Sequence, residues 1–132
     1  MSTFADTSAL FAVLDANDQN HERARQTWTD LVTQAVDLVC TNYVLVETFA
    51  LVQHRLGMEA VRALQEDIVP VLRLEWVDAN AHYASVTALL VAARRQLSLV
   101  DCASFDTMRR LGIQAAFTFD QHFAEQGFEC VP

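Results

Sequence analysis

Lysine is absent from this chain of 132 residues; its nine basic side chains are all arginine, set against 17 acids, for a formal charge of -8. That balance argues against sequence-independent wrapping of DNA, which needs a basic surface. Glycine (3) and proline (2) are scarce while 52% of residues are hydrophobic, which argues against a fibrous or disordered chain and for helix-rich structure with short connections. Cysteine occurs only at Cys40, Cys102 and Cys130 with no CxxC pair, a pattern of reduced, buried thiols and not of a disulfide framework or zinc site. The most apolar long stretch, Tyr43 to Val52, contains Glu47 and is too short to span a bilayer. No basic segment followed by an apolar one opens the chain, so no secretory signal is expected and the cytoplasm is the expected location. The length suits one domain over residues 1–132, able to form a core without metals or disulfides as staples.

Short apolar segments alternate with longer helical periodicities. Thr3 to Ala5 is a candidate strand, followed by an apolar helix over Ser8 to Leu14. From His21 the positions Ala24, Trp28, Leu31, Val32 and Ala35 form one helix face. Leu38 to Cys40 reads as a buried strand, with Thr41 or Asn42 to cap a helix from Tyr43 to Leu56 that is apolar nearly all round in its first half. Gly57 suits a helix stop, and Met58 to Ile68 reads as a helix ended by Pro70. Leu72 to Trp76 alternates as a half-buried strand, and Asp78 can cap a helix over Ala79 to Arg95. Ser98-Leu99-Val100-Asp101 has the form of a capping box, opening a helix that ends before Gly112. Ala115 to Phe119 reads as a strand, His122 to Gln126 as a single turn or short helix, and Phe128 to Val131 as a last strand. This order predicts one three-layer α/β domain with a short, mostly parallel sheet flanked by helices.

Four acids stand where such a sheet collects ligands, at strand ends and helix starts. Asp6 follows the first strand and is a cap or a ligand, since Thr7 and Ser8 could cap the helix equally well. Glu47 sits on the most apolar helix, where a carboxylate needs an arginine, a cation or a cleft to offset desolvation. Asp101 is fully explained by its capping box, yet lies in a first turn that can also face a cleft. Asp120 follows the strand ending Thr118-Phe119 and is again a cap or a ligand. Together they could converge on one edge of the sheet. Clustered carboxylates repel unless a cation neutralises them, and all-oxygen donors suit Mg²⁺ or Mn²⁺ over zinc. Such ions activate water and stabilise displacement at phosphorus.

In Phe-Ala-Asp6-Thr-Ser-Ala-Leu, Val-Glu47, Ser-Leu-Val-Asp101 with Ser104-Phe105, and Thr118-Phe119-Asp120-Gln-His122-Phe123, taken in this order, the chain resembles a PIN domain over essentially its whole length. It looks most like the VapC-type toxins of toxin–antitoxin pairs. The resemblance implies an endoribonuclease dependent on Mg²⁺ or Mn²⁺, cutting phosphodiester bonds by metal-activated water, with Asp6, Glu47, Asp101 and Asp120 as the acidic cluster. Asp6 and Asp101 would be direct ligands, Glu47 and Asp120 direct or water-mediated ones, and Thr7, Ser8 and Thr118 supporting hydroxyls. It also implies an RNA substrate, a homodimer and a small antitoxin covering the site, often with a basic side chain. In that setting Asp6 is read as a ligand, which leaves Thr7 and Ser8 to cap the helix.

Arg94, Arg95, Arg109 and Arg110 flank the Asp101 helix and are candidates for phosphate contact, although Arg109 and Arg110 also suit the C-terminal dipole of their helix. His21, His54, His82 and His122 share no spacing and read as structural, with His122 adjacent to the site. Competing readings are a PIN-like module that binds RNA or protein without cutting, and a housekeeping RNA-processing nuclease. An aspartyl-phosphate enzyme would want a second acid two residues after the first, where this chain has Ser8.

Overall fold

Five strands, all parallel, form one sheet in the computed structural model, which describes residues 1–132. They are β1 (Ser2–Ala5), β2 (Asp37–Thr41), β3 (Arg73–Glu75), β4 (Ala115–Phe117) and β5 (Glu129–Val131), in the order β3-β2-β1-β4-β5. Seven helices connect them: α1 (Thr7–Leu14), α2 (His21–Thr33), α3 (Asn42–Leu56), α4 (Met58–Ala63), α5 (Ala79–Ala92), α6 (Leu99–Leu111) and α7 (Gln121–Glu125). Parallel strands need helical crossovers, which cover the faces of the sheet. The central strands are accordingly continuous buried runs, Phe4-Ala5 in β1 and Leu38-Val39-Cys40-Thr41 in β2. The expected α/β domain is therefore present, with a sheet wholly rather than mostly parallel. None of its helices is long and apolar enough to cross a membrane.

The order of strands matters for function. From β1 the chain proceeds outward to β2 and β3, then returns to the other side of β1 for β4 and β5. The reversal makes the carboxyl ends of β1 and β4 a topological switch point, where neighbouring connections diverge and leave a crevice. The two strands pair Ala5 with Phe117, and Asp6 N–H donates to the Phe117 carbonyl at 3.1 Å, extending the ladder to the first acid.

An aromatic cluster anchors the far end of the chain beneath that crevice. Phe123 of α7 is fully buried, edge-on to Phe105 of α6 at 5.0 Å between centroids, and also meets Phe4 and Phe128. A helix of five residues cannot hold itself together in water; packing of Phe123 keeps α7, and with it Asp120 and His122, in place.

Several local expectations differ from the fold. The α2 face ends sooner than its periodicity suggests: Val32 is exposed, and Ala35 lies beyond the helix in a left-handed turn. The segment Met58–Ile68 is not one regular helix, because a π-helical turn over Leu64–Ile68 and a 3₁₀ turn over Val69–Val71 follow α4. Leu64 and Ile68 are buried, so packing of those two side chains outweighs ideal helix geometry there. α5 stops at Ala92, and Ala93 takes a left-handed conformation, which puts Arg94 and Arg95 in the following loop. β4 ends at Phe117, so Thr118 to Asp120 leave the sheet. Thr7 begins α1 and Asp6 itself occupies the N-cap, contrary to the expectation that Thr7 and Ser8 serve as caps. Finally, α3 is not buried all round: Val44, Leu45, Thr48 and Val52 face the core, while Val46 and Glu47 are exposed.

Candidate active site

Each acid reaches the crevice by its own local rule. Asp6 caps α1 at the end of β1; Asp101 occupies the third position of the α6 capping box; Asp120 caps α7. Glu47 rises from the second turn of α3, whose first turn is tied to α1: the Thr7 and Thr48 hydroxyls lie 2.9 Å apart, and Thr48 donates to the Val44 carbonyl at 2.7 Å. Repulsion from both Asp101 and Asp120 acts on Asp6 and on Glu47. All four predicted acids thus meet in one electrostatic field.

The hydrogen bonds divide the carboxylates in a telling way. Asp6 Oδ2 accepts from the Ser8 hydroxyl at 2.9 Å and the Thr118 hydroxyl at 3.0 Å, while Oδ1 receives nothing from the protein. Asp101 Oδ2 accepts from Ser98 N–H at 3.0 Å, closing the capping box, and its Oδ1 is likewise unengaged. Asp120 Oδ1 accepts from His122 N–H at 2.9 Å, and its Oδ2 is unengaged. Capping and ligation therefore do not compete: one oxygen of each aspartate fixes the side chain and the other is left to the crevice. Ser8 and Thr118 knit this arrangement further, since Ser8 Oγ also accepts from Phe119 N–H and Thr118 Oγ1 from Asp120 N–H, both at 2.9 Å.

Charge balance separates these acids from an ordinary structural one. At the opposite, amino edge of the sheet, Arg73 and Ser2 hydrogen-bond Asp37 at 2.8 to 3.1 Å and hold its carboxyl down to about 2. In the crevice no arginine plays that part. Burial pushes Asp6 from 3.8 up to about 6 against the pull of Ser8 and Thr118, with repulsion from Asp101 and Asp120 adding to the rise. Glu47 and Asp101 are raised as well, chiefly by desolvation. Four carboxylates gathered without a cation among them are a costly arrangement, which a divalent cation would relieve.

The donor set fits such an ion. Free oxygens of Asp6, Asp101 and Asp120 with the carboxylate of Glu47, which the Thr7 hydroxyl faces, are hard ligands of the kind Mg²⁺ and Mn²⁺ take. His122, expected to be only a structural neighbour, belongs to the group. Its Nδ1 is buried 2.8 Å from Asp120 Oδ1 but out of line for a hydrogen bond, and donor atoms of Asp101, Asp120 and His122 all lie within 4.8 Å of one another. Its sequence signal was the histidine two residues after a capping aspartate.

The arginines fall out differently. Arg94 pairs with Glu125 at 3.1 Å, Arg110 approaches Asp106 at 3.8 Å, and Arg109 donates to Gln126 and lies over Phe128. Arg109 and Arg110 end α6, roughly 12 Å along its axis from Asp101. Arg95 is exposed and has no ion pair. A further arginine, Arg23 of α2, has its guanidinium 5.5 Å from the centroid of the Phe119 ring and forms no ion pair. Phe119 stands between Thr118 and Asp120, so Arg23 sets an unpaired cation against the segment that carries Asp120. Only packing of α2 brings it there.

Comparison with known proteins agrees with this architecture. The family model for the PIN domain matches residues 3–129. The 23S rRNA-specific endonuclease VapC20 of Mycobacterium tuberculosis is 35% identical over 126 residues, covering 95% of this chain and 94% of that protein. The crystal structure of Mycobacterium tuberculosis VapC20, described as a sarcin-ricin loop cleaving toxin, superposes with a TM-score of 0.87 at 34% identity, over 99% of this chain and all of the other. FitAcB from Neisseria gonorrhoeae matches with a TM-score of 0.70 at 15% identity, over 98% and 96% of the two chains, a likeness of fold.

Proposed function

This chain belongs to the PIN-domain family, and from that premise we propose that it is a metal-dependent endoribonuclease, the toxin of a toxin–antitoxin pair, whose substrate is 23S rRNA. The observation that carries the reading is the meeting of Asp6, Glu47, Asp101 and Asp120 at the switch point, three of them with one oxygen anchored and one free. Likeness to VapC20 over nearly the whole of both chains supports the toxin role and the choice of RNA. The nuclease unit is taken to be residues 1–132 as a whole.

Asp6 and Asp101 would hold the cation directly, and Asp120 and Glu47 would complete the set directly or through water. Mg²⁺ is the proposed ion, with Mn²⁺ also suited to these oxygens. When bound, it supplies polarisation of the attacking water and neutralises charge growing on the phosphate. Ser8 and Thr118 keep the Asp6 carboxylate from turning, Ser98 does the same for Asp101, and His122 for Asp120. Thr7 orients the start of α1 against α3 and faces Glu47. Such partners hold donors at fixed positions before substrate arrives. Arg23 is the proposed phosphate contact, and Arg95 a second one; Arg94, Arg109 and Arg110 already have protein partners.

The cognate partner is a small antitoxin, whose basic side chain in the crevice would neutralise the same four acids. A homodimer suits the outer face of α5, where Tyr83, Leu90 and Val91 are 68, 72 and 81% exposed. Action in the cytoplasm accords with an rRNA substrate. The deciding experiment incubates ribosomal RNA with wild type and Asp6→Asn in Mg²⁺. Cleavage by the wild type and its loss in the variant, with circular dichroism unchanged, is the expected result; equal cleavage by both would remove Asp6 from the mechanism. RNA binding without cleavage by the wild type would make the protein a binding module.

A further inference from the structure

Glu47 has a second neighbourhood. It borders a shallow cavity of about 350 Å³ whose other walls are Asn42, Tyr43, Val46 and Val100. Val100 immediately precedes Asp101, so this cavity and the acidic crevice share a rim at two adjacent points. Its lining is mostly apolar, which is unexpected beside four carboxylates. Val46 is 70% exposed and covers no core.

Two of the walls are held in fixed orientations from outside. The Tyr43 hydroxyl is hydrogen-bonded to Nδ1 of His82 on α5, and the two rings meet edge-on at 5.9 Å between centroids and 71°. The Asn42 side chain accepts the Val77 N–H at 2.7 Å through Oδ1, which leaves its amide nitrogen as the free end, a donor. No cation lines the cavity, so it offers nothing to a phosphate. A fixed aromatic ring, two valines and one amide donor instead suit a flat heteroaromatic group carrying an acceptor on its edge. Bases stack on such rings whatever their identity, and an edge hydrogen bond adds selection.

We propose that this cavity is a nucleobase subsite, seating one base of the RNA beside the phosphate that is cut, with Tyr43 as the stacking surface and Asn42 as the donor that reads its edge. His82 is a positioning residue that fixes the Tyr43 ring. The proposal rests on the ribonuclease reading and adds to it a means of choosing the cleavage site. An acidic protein has few cations with which to grip RNA, and stacking supplies affinity that does not depend on charge.

The test is steady-state cleavage of an RNA that the wild type cuts, with each nucleotide flanking the cut bond replaced in turn by an abasic one. One abasic position should raise KM about tenfold, as loss of a stacked base does. Tyr43→Ala should raise KM for intact RNA about as much, and the two changes together should be no worse than either alone, with kcat nearly unchanged. Tyr43→Phe, which keeps the ring but loses the hydrogen bond to His82, should raise KM by less than Tyr43→Ala does. Val46→Glu, at a position that fills no core, should also raise KM and keeps the test decisive if Tyr43→Ala does not fold. Additive penalties, or no sensitive abasic position, would overturn the subsite while leaving the nuclease intact. Failure of the wild type to cut any RNA would overturn both. Dissociation of a dimer by Val46→Glu in light scattering, with KM unchanged, would assign this face to a second copy of the chain and overturn the subsite.

Discussion

Replacing Asp6 by asparagine should move stability and activity in opposite directions. Burial holds the Asp6 carboxyl at about 6 instead of 3.8, so the folded protein binds its proton more tightly than the unfolded chain does. Folding is favoured by this group below about pH 4, and that advantage is lost as the pH rises through about 6. The difference corresponds to about 3 kcal/mol at neutral pH, an upper figure because local relaxation lowers it. Asparagine avoids the ionised state, and its Oδ1 can still accept from Ser8 and Thr118 as Asp6 Oδ2 does. The variant should therefore gain about 2 kcal/mol at pH 8 in EDTA, roughly 8 °C in Tm for a domain of this size. The assay is urea and thermal unfolding of both proteins at pH 5 and pH 8, with chelator or with millimolar Mg²⁺. The gain should shrink towards pH 5, and Mg²⁺ should stabilise the wild type more than the variant. A variant less stable than wild type at pH 8 in EDTA would refute the reasoning and make Asp6 a structural cap.

Thr118→Val should cost about 1 to 3 kcal/mol, because it strips a hydroxyl that donates to Asp6 and accepts from Asp120 N–H in a buried place; RNA cleavage should fall roughly 10- to 100-fold with the loss of support to two acids, and cleavage within twofold of wild type would deny Thr118 that role. Phe123→Ala should cost about 3 to 5 kcal/mol by emptying the aromatic cluster, read by urea denaturation, and a loss below about 1 kcal/mol would mean that α7 is held by other contacts. Arg23→Ala should weaken RNA binding by the Asp6→Asn protein and flatten its dependence on salt, measured by fluorescence anisotropy, while Arg110→Ala should change neither.

Much of the site was legible in the chain because its parts obey local rules. A strand end, a capping box and a short helix start each put an aspartate where backbone N–H groups point outward, and such placements are written in neighbouring residues. Asp6, Asp101 and Asp120 could be found in that way. Glu47 was found on a premise that the fold corrects. The sequence places it on a helix that is apolar nearly all round in its first half, yet Val46 and Glu47 are both exposed. The apolar residue beside it is exposed and lines the shallow cavity that Glu47 borders. The grouping of His122 with Asp101 and Asp120 was not legible, because two residues of separation on a short helix carry no ligand spacing of their own. The arginines were the least legible, since a guanidinium reaches far and its partner is set by packing, as Arg94 with Glu125 and Arg23 over Phe119 illustrate.

By itself the sequence determined the alternation of strands and helices, the α/β class, the caps of α3, α5 and α6, and the four acids as candidates. These follow from hydrophobic period, turn chemistry and residue type, all of which act within a few positions. The tertiary structure decided what those positions mean together. The strand order β3-β2-β1-β4-β5 brings residues 6 and 120 to one switch point, and packing of α3 and α6 adds Glu47 and Asp101. It also decided which oxygen of each aspartate is anchored and that no arginine neutralises the group. Repulsion and desolvation act through space, so the cost of gathering these acids, and the cation it calls for, exist only once the chain has folded.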